Sequence, residues 1–239
     1  MSWQPGSGSS PQQLYGDSAS NVLAQEAGRT FMARVYRWMF AGLALTGGVS
    51  AYVASNQQLM HAMLGLFYPL IIAELVMVFA FSFAVTRVGP TIAAGMFLLY
   101  ALLNGLTFSV IFLVYPVGSI ATAFFITAGS FAALSVYATV TKKDLSAWAT
   151  FLFMGLIGII LAGIVNIFVQ SSMMNFVLAA AGVVVFAGLT AYDTQKLRQL
   201  HAVAGYGSSG SLAIAGALTL YLDFINLFLS ILRLLGRRR

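Results

Sequence analysis

Residues 148–169 read WATFLFMGLIGIILAGIVNIFV, and this run decides the fold. It carries no charged side chain and is apolar on every face, so neither strand-like alternation nor a one-sided amphipathic stripe describes it. About 20 such residues, wound as an α-helix, cross a hydrocarbon core about 30 Å thick. Comparable runs lie at 35–55, 66–85, 92–114, 118–140, 175–192 and 212–235. Backbone groups in hydrocarbon must pair internally, which excludes an open sheet. Continuous runs also argue against an outer-membrane barrel, whose strands alternate. The expected fold is an all-α membrane protein, a seven-transmembrane-helix bundle.

Composition agrees. The 239 residues are 60% hydrophobic and 8% charged, with a mean hydropathy of +0.90. A soluble domain carries about 25% charged residues; this chain could not cover a water-facing surface. The net charge of +6 raises nucleic acid as a partner, but the basic residues lie between apolar runs and form no patch. Cysteine is absent, which excludes disulfides, thiol nucleophiles and thiolate metal sites. The two histidines, His61 and His201, fall in expected loops on opposite sides of the membrane, so a His-based zinc site is not expected. No cofactor and no enzymatic activity are expected.

The basic residues report topology instead. Arg29, Arg34 and Arg37 precede or open the first run. The loop at 56–65 has no Lys or Arg, the next has Arg87, the next none, the next Lys142 and Lys143, the next none, and the next Lys196 and Arg198. This alternation follows the positive-inside rule and predicts a cytoplasmic N-terminus and a cytoplasmic 193–211 loop. Full crossing by the seventh run would place Arg237, Arg238 and Arg239 outside; re-entry would keep them inside. Its length and continuous hydrophobicity favour crossing. Residues 1–28, rich in Gly, Ser, Gln and Pro, read as a disordered cytoplasmic tail, ahead of a transmembrane domain at 29–239. Gly158 with Ala162, and Ala187 with Ala191, have the small-xxx-small spacing of close helix packing, a spacing that Gly- and Ala-rich membrane helices also show by composition alone. No internal repeat is evident.

Of the six acidic residues, Asp17 and Glu26 lie in the tail, and Asp144 follows Lys142 and Lys143 as their solvated neighbour. Three others lie in or beside apolar runs. Asp223 sits inside LYLDFINLF (220–228) with no basic residue within a turn. An acid at the centre of a membrane helix costs roughly 2.5–3.5 kcal/mol, so it must face protein or water; a protonated structural role is the plainer alternative. Asp193 closes the sixth run, where the helix dipole disfavours a carboxylate; pairing with Lys196 in solvent is the alternative. Glu74 lies mid-span and fits a functional role or a structural pairing equally.

Two carboxyls in a poorly hydrated site cannot both ionise easily. Such a pair responds to protons and, when ionised, attracts a hard cation such as calcium. Spacing does not decide whether the pair forms. In a seventh helix spanning 212–235, Asp223 lies about 16 Å deep, whereas Asp193 lies near the cytoplasmic surface. They meet only if the sixth helix continues past its apolar end or the seventh starts late, which Gly205, Gly207, Gly210 and Gly216 would permit.

Four segments resemble the Bax inhibitor family, also called the transmembrane Bax inhibitor motif family, in its bacterial branch. They are Thr141-Lys142-Lys143-Asp144-Leu145-Ser146, Val165-Asn166-Ile167-Phe168, Ala191-Tyr192-Asp193, and the 220–228 stretch followed by Leu232-Arg233; the similarity extends over about 30–239. The resemblance implies a bundle with the last helix central and a proton-sensitive calcium leak channel. It assigns Asp193 and Asp223 as a proton-sensing pair that contacts calcium transiently, and Glu74 as part of the ion path. It also implies a gate latch from an arginine ending the second helix, for which Arg87, slightly past the family position, is the candidate. The implied setting is the bacterial inner membrane, with the lipid bilayer, calcium and protons as partners.

Two other functions compete. A non-transporting regulator of another membrane protein, such as a membrane protease, is compatible with every residue. An intramembrane aspartyl protease would also use a Tyr-Asp such as Tyr192-Asp193 and a second Asp. However, Asp223 lacks a preceding Gly-x-Gly, no Pro-Ala-Leu follows, and Tyr221 and Leu222 would crowd a substrate backbone. A serine intramembrane protease lacks an embedded histidine.

Overall fold

The computed structural model describes the backbone of residues 11–85, 87–204 and 209–237, and side chains over 26–85, 87–200 and 210–237. Eight helices follow in chain order: α1 (Pro11–Ser55), α2 (Gln57–Ala84), α3 (Pro90–Phe108), the one-turn α4 (Ile111–Val114), α5 (Val117–Val140), α6 (Ser146–Val169), α7 (Ser172–Ala204) and α8 (Ser209–Leu235). No strand occurs among the described residues. Seven segments are long and apolar enough to cross a bilayer, with α3 and α4 forming one of them (Pro90–Val114). The expected seven-helix bundle is thus the observed architecture.

Local chemistry sets the turns. Asn56 alone separates α1 from α2, and its side chain accepts from the Gln58 and Leu59 N–H groups at 3.0 and 3.2 Å, capping the free donors of a helix start. Pro90 occupies the first turn of α3, where a missing N–H costs nothing. At the end of α6, Gln170 turns left-handed at φ 51°. There buried Asn166 accepts from Ser171 N–H at 3.0 Å and donates to Asn175 Oδ1 at 2.8 Å, closing the α6–α7 hairpin.

The two ends of the bundle differ in charge. Arg87, Lys142, Lys143, Lys196 and Arg198 share one end, with Arg29, Arg34 and Arg37 at the start of the apolar part of α1 (Glu26–Ser55). The turns after α1, α4 and α6 form a charge-poor end. A Cβ added at Gly236 would meet the Tyr115 ring at 2.8 Å, so α8 finishes at the charge-poor end. The last run therefore crosses fully, and Arg237 lies opposite the other basic loops.

The last helix is central, as expected. It packs against α1, α3, α5 and α7, and Tyr221, Leu220, Ile214, Leu227 and Leu232 on it are fully buried. By contrast α2 turns Tyr68, Ile72 and Phe83 outward. Lipid tails are as apolar as these side chains, so assembly rests on close packing and interhelical hydrogen bonds.

Three expectations need correction. Helix α1 begins at Pro11, so helix runs through 11–28, assigned above to a disordered tail; Leu, Ala, Gln and Glu there are good helix formers, and Pro11 suits a first helical position. Residues 1–10 lie outside the described residues. Second, α7 continues to Ala204 rather than ending near 192. No Gly or Pro interrupts 193–204, so helix outlasts apolarity. Third, His61 lies within α2 and His201 within α7, not in loops. Gly158 faces outward with nothing within 4 Å of an added Cβ, so its spacing with Ala162 reflects composition rather than close packing. The close α6–α7 approach uses Gly155, where an added Cβ would meet Val185 at 2.9 Å, and Gly188, which packs on Leu152.

Candidate functional site

Helices α7 and α8 run antiparallel, in a register fixed by two close approaches. Gly216 on α8 makes room for Leu197, whose Cδ2 would lie 2.8 Å from an added Cβ; Gly182 on α7 does the same for Ser230. Asp193 and Asp223 fall between these two contacts. Their carboxyl groups come within hydrogen-bonding reach of each other and interact electrostatically. The two ways of meeting considered above resolve in favour of a longer sixth helix. Asp193 sits 11 residues before the end of α7, about 16 Å at 1.5 Å per residue, so the helix continues well past it. Asp223 lies a comparable distance from the start of α8.

The two carboxyls have unequal surroundings. Asp223 is 5% exposed, and its Oδ2 has no hydrogen-bond partner among the described residues. Asp193 is half-buried and feels the charge of Lys196 on the next turn. That Lys196 ammonium lies 5.5 Å from the Tyr192 ring centre, a cation–π distance. The facing acids can therefore hold one proton between them, or present two negative charges to a cation. Calcium takes six to eight oxygen ligands, more than two carboxyls supply.

Glu74 is not placed with the pair. It lies on α2 and accepts from Thr107 Oγ1 of α3 at 2.5 Å; its electrostatic neighbours include Tyr100 and Tyr221. Tyr221 precedes Asp223 by two residues, a rotation of about 200° on a helix, so the two side chains leave α8 on opposite faces. On Tyr221's face its hydroxyl lies 2.8 Å from Thr46 Oγ1, which itself donates to the Ala101 carbonyl at 2.8 Å. Arg87 stands exposed in the α2–α3 turn, where among the described residues its side chain makes no ion pair.

Sequence reasoning missed Gln195. It is buried on α7, donates to the Lys143 carbonyl at 2.9 Å and accepts from Leu145 N–H at 2.8 Å. Arg198 adds a bond to the Thr139 carbonyl at 2.7 Å. These bonds strap the α5–α6 loop to the polar extension of α7 and so hold Asp193 at its height. A glutamine amide can serve a carbonyl and an N–H at once, but the sequence alone does not name a partner about fifty residues away.

Fold and site together define a polytopic α-helical membrane protein with a carboxyl pair enclosed between its last two spans. The family described as inhibitor of apoptosis-promoting Bax1 matches residues 28–239. The chain belongs to this Bax inhibitor family. It is 43% identical over 228 residues to the inner membrane protein YbhL of Escherichia coli K12, covering 92% of this chain and 97% of that one. It is 47% identical over 210 residues to a protein of Deinococcus radiodurans, covering 86% and 90%. A protein of Rickettsia prowazekii is 40% identical over 225 residues, covering 93% and 95%.

Proposed function

We propose that this chain is a proton-sensitive calcium leak channel of a bacterial inner membrane, with its N-terminus and basic end in the cytoplasm. The observation that carries the reading is the Asp193–Asp223 contact, with Asp223 sealed from its surroundings. While the pair shares a proton it bridges α7 and α8. When the pair is fully ionised, like charges in a low-dielectric site repel, and the α7–α8 seam loosens at this level while becoming attractive to a hard cation. Flux therefore rises with pH. The placement of the basic loops supports the orientation, and the inner-membrane relative supports the location.

The same geometry speaks against proteolysis. Asp223 is itself only 5% exposed and so closed to a substrate backbone, and the chain is read as non-enzymatic. The test uses purified protein alone in liposomes. Calcium efflux should increase between about pH 6 and pH 8, and replacing both Asp193 and Asp223 with Asn should flatten that response. Absence of flux from the pure protein would favour the regulator reading instead, and an unchanged profile in the double variant would remove the gating mechanism.

A further inference from the structure

A cavity of about 1020 Å³ opens at the basic end between α1, the α5–α6 loop and the extension of α7. It stands apart from the carboxyl pair, and nothing proposed above uses it. Four cations line it, Arg29, Lys142, Lys143 and Arg198, against the single carboxylate of Asp144 among the described residues. That carboxylate is partly committed: its Oδ1 accepts the Ser146 N–H at 2.9 Å. Such a mouth repels calcium and attracts anions.

The positive-inside rule requires cationic loops at this end, but it does not require a concavity. Here the cations come from three separate elements and converge. Two of the walls are braced. Buried Gln195 pins the loop on both sides of Asp144, through the Lys143 carbonyl and the Leu145 N–H. Arg198 spends one guanidinium N–H on Thr139, which fixes its head at the rim; a guanidinium carries five donors, so others stay available. Tyr36 and Met32 supply an apolar wall.

We infer that this cavity is a binding site for a phosphate-bearing anion. Arginine and lysine suit phosphate as fork and point charge, and basic pockets between helices at the cytoplasmic surface are where anionic head groups bind. The volume stands at the upper end of ligand pockets, roughly 300–1,000 Å³, so the occupant is larger than a lone phosphate. A phospholipid head group and a soluble polyphosphate share the required chemistry. Because Gln195 and Arg198 share α7 with Asp193, an occupant would also stiffen the helix that carries one member of the carboxyl pair. The site itself does not rest on the leak reading.

The test uses the full chain in detergent. One arm measures retention of phosphatidylglycerol against phosphatidylcholine by native mass spectrometry; the other measures sodium triphosphate binding by calorimetry. The double variant Lys142→Gln/Lys143→Gln should bind about tenfold more weakly. Arg29→Gln, on a different wall, should also weaken binding, whereas Arg87→Gln, at the same end but outside the cavity, should not. Preference for phosphatidylglycerol alone identifies the lipid as the source, and triphosphate binding identifies a soluble one. Equal retention of both lipids with no triphosphate binding would overturn the site, as would an Arg87→Gln effect equal to that of Arg29→Gln, since charge alone would then explain binding.

Discussion

Asp193 and Asp223 face each other across the α7–α8 seam, yet only Asp223 is sealed, its Oδ2 left without a partner. The single variants should therefore differ. Asp223→Asn removes the repulsion while keeping the shape, and offers an amide N–H donor to the Asp193 carboxylate. It should raise the melting temperature at pH 8, by an amount corresponding to about 1–3 kcal/mol. Asp193→Asn leaves the Asp223 carboxyl buried beside an amide and should gain less. Thermal melts of both variants at pH 6 and pH 8 check this ordering, and a lower melting temperature for Asp223→Asn at pH 8 would contradict it.

Gly105 should tolerate no side chain. An added Cβ would lie 2.7 Å from Val49 Cβ and 3.0 Å from the Thr46 carbonyl oxygen, both on or next to the backbone of α1. Neither can swing away as a flexible side chain would. Gly105→Ala should cost about 1–3 kcal/mol, the usual range for overpacking. Gly158→Ala, facing open space, should leave the melting temperature unchanged. Equal behaviour of the two variants would mean that α1 and α3 approach less closely than described.

Much of this architecture is legible in the chain, for reasons that particular residues show. The run at 148–169 has no charged interruption, and α6 follows it to within two residues at the start and ends at the same Val169. The alternating basic loops also mark one end correctly. What escapes is whatever depends on helix continuing after apolarity stops. Asp193 ends an apolar run in sequence but sits inside α7 in space, because Thr194 and Leu197 still face the protein while Lys196 and Arg198 turn outward. The acids themselves can be named in advance. Their contact depends on a register set by Gly182 and Gly216, whose meaning rests on which helix lies opposite.

Gln195, itself uncharged, should prove structural. Gln195→Leu removes the donor to the Lys143 carbonyl and the acceptor for the Leu145 N–H. Lost partners of buried polar groups cost about 1–3 kcal/mol. Lys142 and Lys143 are already exposed, and freeing the loop lets its backbone fit a protease cleft, so trypsin should cut there faster in the variant than in the parent. Unchanged cleavage would show that the strap is dispensable.

Asp144 gives a pH effect outside the membrane. Its carboxylate accepts the Ser146 N–H, and that bond holds it below the usual carboxylate range. A group whose ionised form is favoured by folding contributes above its unfolded value and loses the contribution as pH falls through its folded one. Ser146 amide protection, corrected for intrinsic exchange, should therefore be present at neutral pH and fade below about pH 4. Asp144→Asn should reduce the pH dependence of this protection.

The Tyr221–Thr46 contact should show strong non-additivity. Thr46 has one hydroxyl hydrogen and gives it to the Ala101 carbonyl, so Tyr221 is the donor in the 2.8 Å contact between them. Tyr221→Phe removes that donor and leaves Thr46 still bonded to Ala101. Interhelical hydrogen bonds in membranes average about 0.6 kcal/mol, and the loss should be of that order. Thr46→Val instead strands the Tyr221 hydroxyl in a site with no exposure, where an unsatisfied donor costs about 1–3 kcal/mol. Adding Tyr221→Phe to Thr46→Val removes the stranded group, so the double variant should be more stable than Thr46→Val alone. A thermodynamic cycle over the four proteins measures this directly. Simple addition of the two single effects would show that the hydroxyl finds another partner.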